Sequence, residues 1–354
     1  TVNLTKPQEL IYSMEKYTGG AIAVICGSIL LHGEKPVDEL QRAANALYRM
    51  NDALRLRMRE DDGEVAQTAA EFAPQTFAVL SFQSRAALAA YAADYAKIPL
   101  DFHGSLCEMQ IVQLPGQCGL LVKLHHIVGD AWTMTLLGTQ FGRLLRGETV
   151  EAYSYADYAA SEGAYLQSKR YEKDKAYFVE AFQRCDTPIY LCDKQGEGVQ
   201  ARRKDFVLDV WQTAAIKAYA QAKGTSAFML FMAAFSAYMS RMKMNAEKFY
   251  IGTAVLNRSG AKEQNTAGMF INTVPMLIEL DYQKSFAENL ASVEASALAA
   301  FKHQKCNYGD VLKTIRRSFG FSGKLYDVIL SYQNAAVAGD GVETAWYHSG
   351  MQSE

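Results

Sequence analysis

The 354-residue chain lacks most of the features that announce a function outright. It has no charge of one sign to spare: 36 lysines and arginines stand against 38 aspartates and glutamates, for a net charge of -2. That balance gives neither nucleic acid nor an anionic membrane surface a patch to hold. No apolar run approaches the about 20 residues that span a bilayer. The longest apolar helix candidate, residues 227–239, is short and contains Ser236. The first residues do not combine a basic flank, an apolar core and a small-residue cleavage site, so no targeting signal is visible and a cytoplasmic protein is expected. The six cysteines (Cys26, Cys107, Cys118, Cys185, Cys192 and Cys306) form no Cys-x-x-Cys pair, and no histidine lies at finger spacing, so no metal is expected. Cys107 and Cys118 could face each other across a hairpin, but single buried thiols are the better reading. There is no Gly-x-Ser-x-Gly elbow and no repeat of about 20–50 residues, which excludes the serine-elbow hydrolases and the solenoids. The chain starts without methionine, which suggests a piece of something longer.

What is present is ordinary globular material, nearly half hydrophobic, enough for two cores. Residues 21–31 are apolar and β-branched, as in a buried strand. Pro36 opens a helix with Val37, Leu40, Ala44, Leu47 and Met50 at helical spacing. Residues 53–58 alternate apolar and basic, which predicts a strand with Arg55 and Arg57 on one face. Residues 106–114 and 118–126 read as a hairpin, and 132–145 as a helix with Met134, Leu137, Phe141 and Leu144 as its stripe. From Arg184 to Lys204 the composition shifts, marking a linker at 184–204 between a unit at 1–183 and one at 205–354. The second unit repeats the alternation: strands at 206–210, 249–255, 273–280 and 326–332, a strongly apolar helix at 226–242, and a capping box from Ser285 to Glu288.

The most pointed stretch is Leu120-Leu121-Val122-Lys123-Leu124-His125-His126-Ile127-Val128-Gly129-Asp130-Ala131-Trp132. An apolar strand runs into two of the chain's six histidines, with an aspartate four residues after the second. Imidazole, with an unperturbed pKa of about 6.5, suits proton transfer near neutrality. Successive strand side chains point to opposite faces, so the two rings cannot easily share a metal ion. One imidazole faces the packed side and the other the open side. Asp130 could orient a histidine or pair with a cation, Arg55 or Arg57 being the candidates. Spacing alone does not choose between a working site and a pair that merely satisfies hydrogen bonds at a strand end. Without a side-chain nucleophile, a working histidine points to direct transfer between two bound substrates.

His125-His126-Ile127-Val128-Gly129-Asp130-Ala131 resembles the His-His-x-x-x-Asp-Gly motif of the condensation domains of nonribosomal peptide synthetases and their acyltransferase relatives. Further stretches match in the family's order. Ala53-Leu54-Arg55-Leu56-Arg57 is similar to its early Leu-Arg strand, and Tyr155-Ala156-Asp157-Tyr158-Ala159 to its Tyr-x-Asp-x-Ala helix start. Ile251-Gly252-Thr253-Ala254-Val255-Leu256-Asn257-Arg258 and Gly268-Met269-Phe270-Ile271-Asn272-Thr273 follow, and Tyr326-Asp327-Val328-Ile329-Leu330-Ser331-Tyr332-Gln333-Asn334 closes the series. Together they span nearly the whole chain.

The resemblance implies an α/β fold of two chloramphenicol acetyltransferase-like subdomains arranged as a V, the second C-terminally incomplete here. The histidine motif would sit at their junction, midway along a tunnel. Donor and acceptor peptidyl carrier proteins would dock at opposite ends with thioesters on 4'-phosphopantetheine arms, within a larger chain that also holds adenylation domains, the domain itself being monomeric and binding no cofactor. The acceptor amine would attack the donor thioester to form an amide. On this likeness His126 is the catalytic histidine, His125 and Asp130 are structural, and Arg55 holds Asp130. Trp132, Arg258 and Asn334 would line the tunnel. The motif's glycine is Ala131 here; where that position needs a positive φ, alanine costs on the order of 1 kcal/mol. Other members of the superfamily are acyltransferases using coenzyme A and epimerising relatives, and a non-catalytic recruiting member is a third class.

Overall fold

Strand Gln117–His125 is buried along its whole length, and a five-stranded sheet is built around it. The structure, a computed structural model, describes residues 2–18, 21–61, 64–192, 201–333, 341–348 and 351–353. In the sheet the strands run in the order Val342–His348, Val24–His32, Gln117–His125, Cys107–Leu114, Val79–Ser81. The central three are antiparallel, and Val79–Ser81 joins the edge in parallel. A strand covered on both faces must be apolar in both parities. Leu120, Val122 and Leu124 accordingly join one core, beneath helices Val37–Met50 and Ala131–Leu145, while Leu121 joins a smaller one under helix Arg85–Ala96. Gly116, at φ 69°, makes the turn that returns the hairpin from Cys107–Leu114. In this register Cys107 lies opposite Leu124 and Cys118 opposite Gln113, so the two cysteines do not face one another; none of the six is in a disulfide.

A second core gathers on helices Lys169–Arg184, Ala227–Met242, Phe286–Phe301 and Tyr308–Phe319 around a three-stranded sheet in the order Asn272–Glu279, Lys248–Val255, Ile329–Leu330. The capping box forms as read: Ser285 accepts from the Glu288 amide, and the Glu288 carboxylate accepts from the Ser285 amide. Residues 205–354 do not keep wholly to this core. Ala267, Met269, Phe270 and Val342 are buried in the first one, and strand Val342–His348 pairs with Val24–His32 in the first sheet. Of the 184–204 linker, residues 193–200 lie outside the described residues.

Four expected elements differ. Residues 206–209 form no strand, and Phe206 and Val207 stay exposed, because β-forming side chains without a neighbouring strand have no ladder to join. Only Ile329–Leu330 of the 326–332 run is strand, at the sheet edge, with Ile329 54% exposed rather than buried. Helix Ala227–Met242 buries Met229, Met232, Ala233, Ser236 and Met239 but leaves Phe231, Tyr238 and Met242 exposed: helices Phe286–Phe301 and Val210–Ala222 pack against it, and its apolar breadth exceeds what they cover. Finally, residues 52–55 wind into a 3-10 turn before strand Leu56–Asp61, which carries Arg55 out of the strand expected for it.

Candidate active site

The histidine pair falls where strand Gln117–His125 ends, and neighbouring strands hold both backbones. The His125 amide donates to the Leu106 carbonyl at 2.9 Å and the His126 amide to the Ala23 carbonyl at 2.7 Å. The chain then tightens into the 3-10 turn His126–Val128, so strand alternation ends between the two rings. His125 is 2% exposed. Its Nδ1 accepts the Ile127 amide at 3.1 Å and its ring packs edge-on to Phe102. Burial, with a smaller contribution from His126, lowers its pKa to about 4. His125 is therefore a neutral imidazole at physiological pH, used as a cap for the turn that follows it. His126 is half-buried; its Nδ1 is buried and has no hydrogen-bond partner. No carboxylate among the described residues hydrogen-bonds the His126 ring, so this is not a braced His–Asp base of the triad kind.

Asp130 is committed elsewhere. Fully buried, it caps helix Ala131–Leu145 by accepting the Thr133 amide at 2.9 Å and the Thr133 hydroxyl at 3.0 Å. It also accepts the Phe270 amide at 3.1 Å and the Arg258 guanidinium at 3.0 and 3.1 Å on its two oxygens. Arg258, 1% exposed in its side chain, donates further to the carbonyls of Glu263, Thr266 and Gly268 and lies 3.8 Å over the Phe270 ring. This buried ion pair fastens the histidine loop to the segment at 257–272. The same segment is clamped by Tyr155, whose hydroxyl donates to the Met269 carbonyl at 2.7 Å. Gly268, at φ 151°, is required there, because a Cβ would run into the Tyr155 ring.

The expected holder of Asp130, Arg55, does not reach it. From its 3-10 turn Arg55 donates to the carbonyls of Ala70, Tyr48 and Arg49. Arg258 takes that place, its guanidinium buried among the Glu263, Thr266 and Gly268 carbonyls. Trp132 donates its indole N–H to the Gln264 carbonyl at 2.8 Å, a second tie to the 257–272 segment. Ala131 is the first residue of its helix and is not among the positive-φ residues, so the alanine brings no backbone strain. Asn334 lies outside the described residues.

Two site residues were not singled out by sequence. Gln8, fully buried on helix Lys6–Thr18, donates at 2.9 Å to the Ile127 carbonyl and trades reciprocal amide bonds of 2.8 and 2.7 Å with Gln67. Glu15, on the same helix, brings its Oε2 to 3.4 Å from His125 Nε2. Nothing local distinguishes either from an ordinary polar helix position, since their partners in the motif are more than a hundred residues away. Thr133 was findable, because Asp-x-x-Thr is a helix-cap spacing.

Among the described residues, no group of three or more His, Cys, Asp or Glu side chains could hold a metal, and no helix is long and apolar enough to cross a membrane. The clefts of about 590 and 350 Å³ open elsewhere, the first at the hairpin turn around Pro115, the far end of the histidine strand, and the second beside Asn257 and Lys302.

Solved structures share this fold. The condensation domain from Monacolin K polyketide synthase superposes with a TM-score of 0.83 at 17% identity, covering 99% of this chain and 86% of that one. The first condensation domain of the calcium-dependent antibiotic synthetase gives 0.80 at 21%, covering 99% and 85%. The fold is thus the mixed α/β, chloramphenicol acetyltransferase-like one of condensation domains. The chain belongs to the Condensation domain family, which it matches over residues 1–354. Among curated relatives, surfactin synthase subunit 1 of Bacillus subtilis is 28% identical over 93% of this chain, and tyrocidine synthase 3 of Brevibacillus parabrevis 26% identical over 94%. The chain spans only 10% and 5% of the lengths of those two relatives.

Proposed function

We propose that this chain is the amide-forming acyltransferase of a peptide-assembling enzyme and that His126 works directly on the reacting amine. The acceptor nitrogen attacks the donor thioester carbonyl, the C–N bond forms as the C–S bond breaks, and the amine proton leaves as the thiolate becomes a thiol. The observation that carries this reading is the division of labour at the motif. His125 and Asp130 are spent on holding the loop, while the His126 ring is half-buried and no side chain of the described residues hydrogen-bonds its Nδ1. An amine nucleophile needs no base before it attacks; holding two tethered reactants in line supplies about 7–11 kcal/mol in well-oriented systems. A histidine without a carboxylate behind it suits steering the amine and receiving its proton late.

Both reactants would arrive as thioesters on the 4'-phosphopantetheine arms of donor and acceptor carrier proteins, in a larger chain that also carries adenylation domains. The synthetase relatives, many times longer than this chain, support that setting. The reading takes the two cores as arms of a V with the histidines at their junction, and places the enzyme in the cytoplasm, where cysteines outside disulfides are at home. The test loads donor and acceptor carriers with candidate aminoacyl groups and follows the acceptor carrier by intact mass. Appearance of the dipeptidyl thioester is expected. If the same acyl group is transferred from free coenzyme A and from no carrier, the enzyme is a coenzyme A acyltransferase instead.

A further inference from the structure

A neutral imidazole has one donor nitrogen and one acceptor. In His125 the assignment is forced. Nδ1 accepts the Ile127 amide, so Nε2 carries the proton. That Nε2 is buried without a hydrogen-bond partner, and 3.4 Å from it stands Oε2 of Glu15, equally buried and equally without one. Two orphaned buried atoms of complementary kind face each other a few tenths of an ångström beyond ordinary reach, which ends at about 3.2 Å. Hydrogen bonds at active sites are often long in the free enzyme and shorten when substrate binds.

The helix that carries Glu15 is placed to close this gap. Its first turn is tied to the second core, with Lys6 Nζ 3.6 Å from Asp310 and the Lys6 carbonyl accepting from Asn307 at 3.5 Å. The Lys6 amide donates to Glu162 at 2.8 Å, and two turns before Glu15 the buried Gln8 holds the Ile127 carbonyl. The helix therefore touches the histidine turn at both its carbonyl and, through His125, its amide. The titratable groups facing His125 are Glu15 from this helix and His126 in the turn. Lys16, the next residue, is occupied by Glu60. Burial keeps His125 neutral, so the contact sets an imidazole N–H against a carboxyl oxygen and is not a salt bridge.

We propose that Glu15 is a positioning residue for the condensation reaction: it accepts the His125 Nε2 proton as the site closes on its substrates, and so fixes the ring that holds the turn carrying His126. The inference rests on the condensation reading above. Without an acceptor behind it, His125 loses one of its two anchors, and the His126 imidazole loses its aim with it.

The test has two arms. One measures kcat and KM with loaded carriers for wild type, Glu15→Met, Glu15→Gln and Glu15→Asp. The other records ¹⁵N–¹H spectra of histidine-labelled protein with and without loaded carriers, which read the His125 Nε2–H resonance. Glu15→Met is expected to lower kcat about tenfold or more with KM little changed, the scale on which misplacement of a reacting group acts. Its Nε2–H resonance should also lose the downfield shift that loaded carriers induce in wild type, while the tautomer stays set by the Ile127 amide. Glu15→Gln keeps an acceptor at the same reach and should restore both. Wild-type kcat together with a wild-type Nε2–H shift in Glu15→Met overturns the proposal. Should that variant not fold, Glu15→Asp decides, since it withdraws the acceptor by one methylene: unchanged kcat and Nε2–H shift overturn the proposal equally. If wild type forms no amide from any loaded pair, the reaction reading fails, and the Nε2–H shift alone then judges Glu15.

Discussion

Two halves of one seven-residue motif are finished to different degrees. At Asp130 every oxygen is taken: the carboxylate accepts from the Thr133 amide and hydroxyl, the Phe270 amide and both reaches of Arg258. At His125 and His126, Nε2 of one ring and Nδ1 of the other are buried without partners. Buried polar atoms are ordinarily paired, and an unpaired one costs about 1–3 kcal/mol. The saturated end is a fastening that joins the histidine loop to the 257–272 segment. The unsaturated end keeps hydrogen-bonding capacity in reserve, at His125 facing Glu15 and at the half-buried His126 ring. The difference separates what holds the site from what uses it.

That contrast can be broken from either end. His126→Ala should reduce amide formation with loaded carriers by about 10²- to 10⁴-fold, the usual scale of general acid–base help, while leaving thermal stability near wild type. A rate equal to wild type would remove His126 from the chemistry. Arg258→Met should do the reverse and act first on the fold. Stripping one partner from a buried ion pair costs about 3–5 kcal/mol, visible as a shifted denaturant midpoint, with activity lost because the loop is released. A variant as stable as wild type would show that the pair fastens nothing.

The pH dependence of stability sharpens the comparison, because two buried groups pull in opposite directions. His125 titrates at about 4 when folded against 6.5 in the free side chain. Between those values the unfolded chain binds a proton that the folded one refuses, so stability falls as pH drops from 6.5 toward 4. Glu162, which accepts the Lys6 amide, is pushed up from 4.5 to about 7, by burial first. Here the folded chain keeps a proton that the unfolded one loses, so stability falls as pH rises from 4.5 toward 7. Glu162→Gln should abolish up to about 3 kcal/mol of that second decline, measured by urea unfolding at pH 5 and pH 7.5. An unchanged slope would mean that Glu162 is ionised in the folded protein. The smallest effect belongs to the motif's departure. Ala131→Gly should change stability by no more than about 1 kcal/mol, in the destabilising direction, and leave activity within a few-fold, because the position is ordinary helix. A large gain in rate would show that the glycine served the chemistry.

Much of this was legible in advance for a local reason. The histidine strand is apolar in both parities, which only a strand covered on both faces tolerates, and its end delivers the pair by simple succession. Alternation predicts an inward and an open ring, but the strand ends at His125 and the 3-10 turn sets where His126 lies. The Ser285–Glu288 box formed because its bonds close within four residues. Arg55 was misassigned for the opposite reason. In sequence it lies closer to Asp130 than Arg258 does and matches an expected strand, but a turn at 52–55 sends its guanidinium to nearby carbonyls. Residues 206–210 and 326–332 have strand composition, yet whether a strand forms depends on a neighbour to pair with, and composition carries no record of the neighbour.

The sequence by itself determined the nature of the site: two imidazoles at a strand end and an aspartate at cap spacing. Those are properties of residues and of their short spacings. Which groups complete the site was decided only by the tertiary structure. Arg258, Phe270, Gln8 and Glu15 reach the motif across separations of more than a hundred residues, and it is packing that selects them. A hydrogen bond or ion pair is won by the group that arrives at about 3 Å with the right direction, and only the folded chain sets that distance.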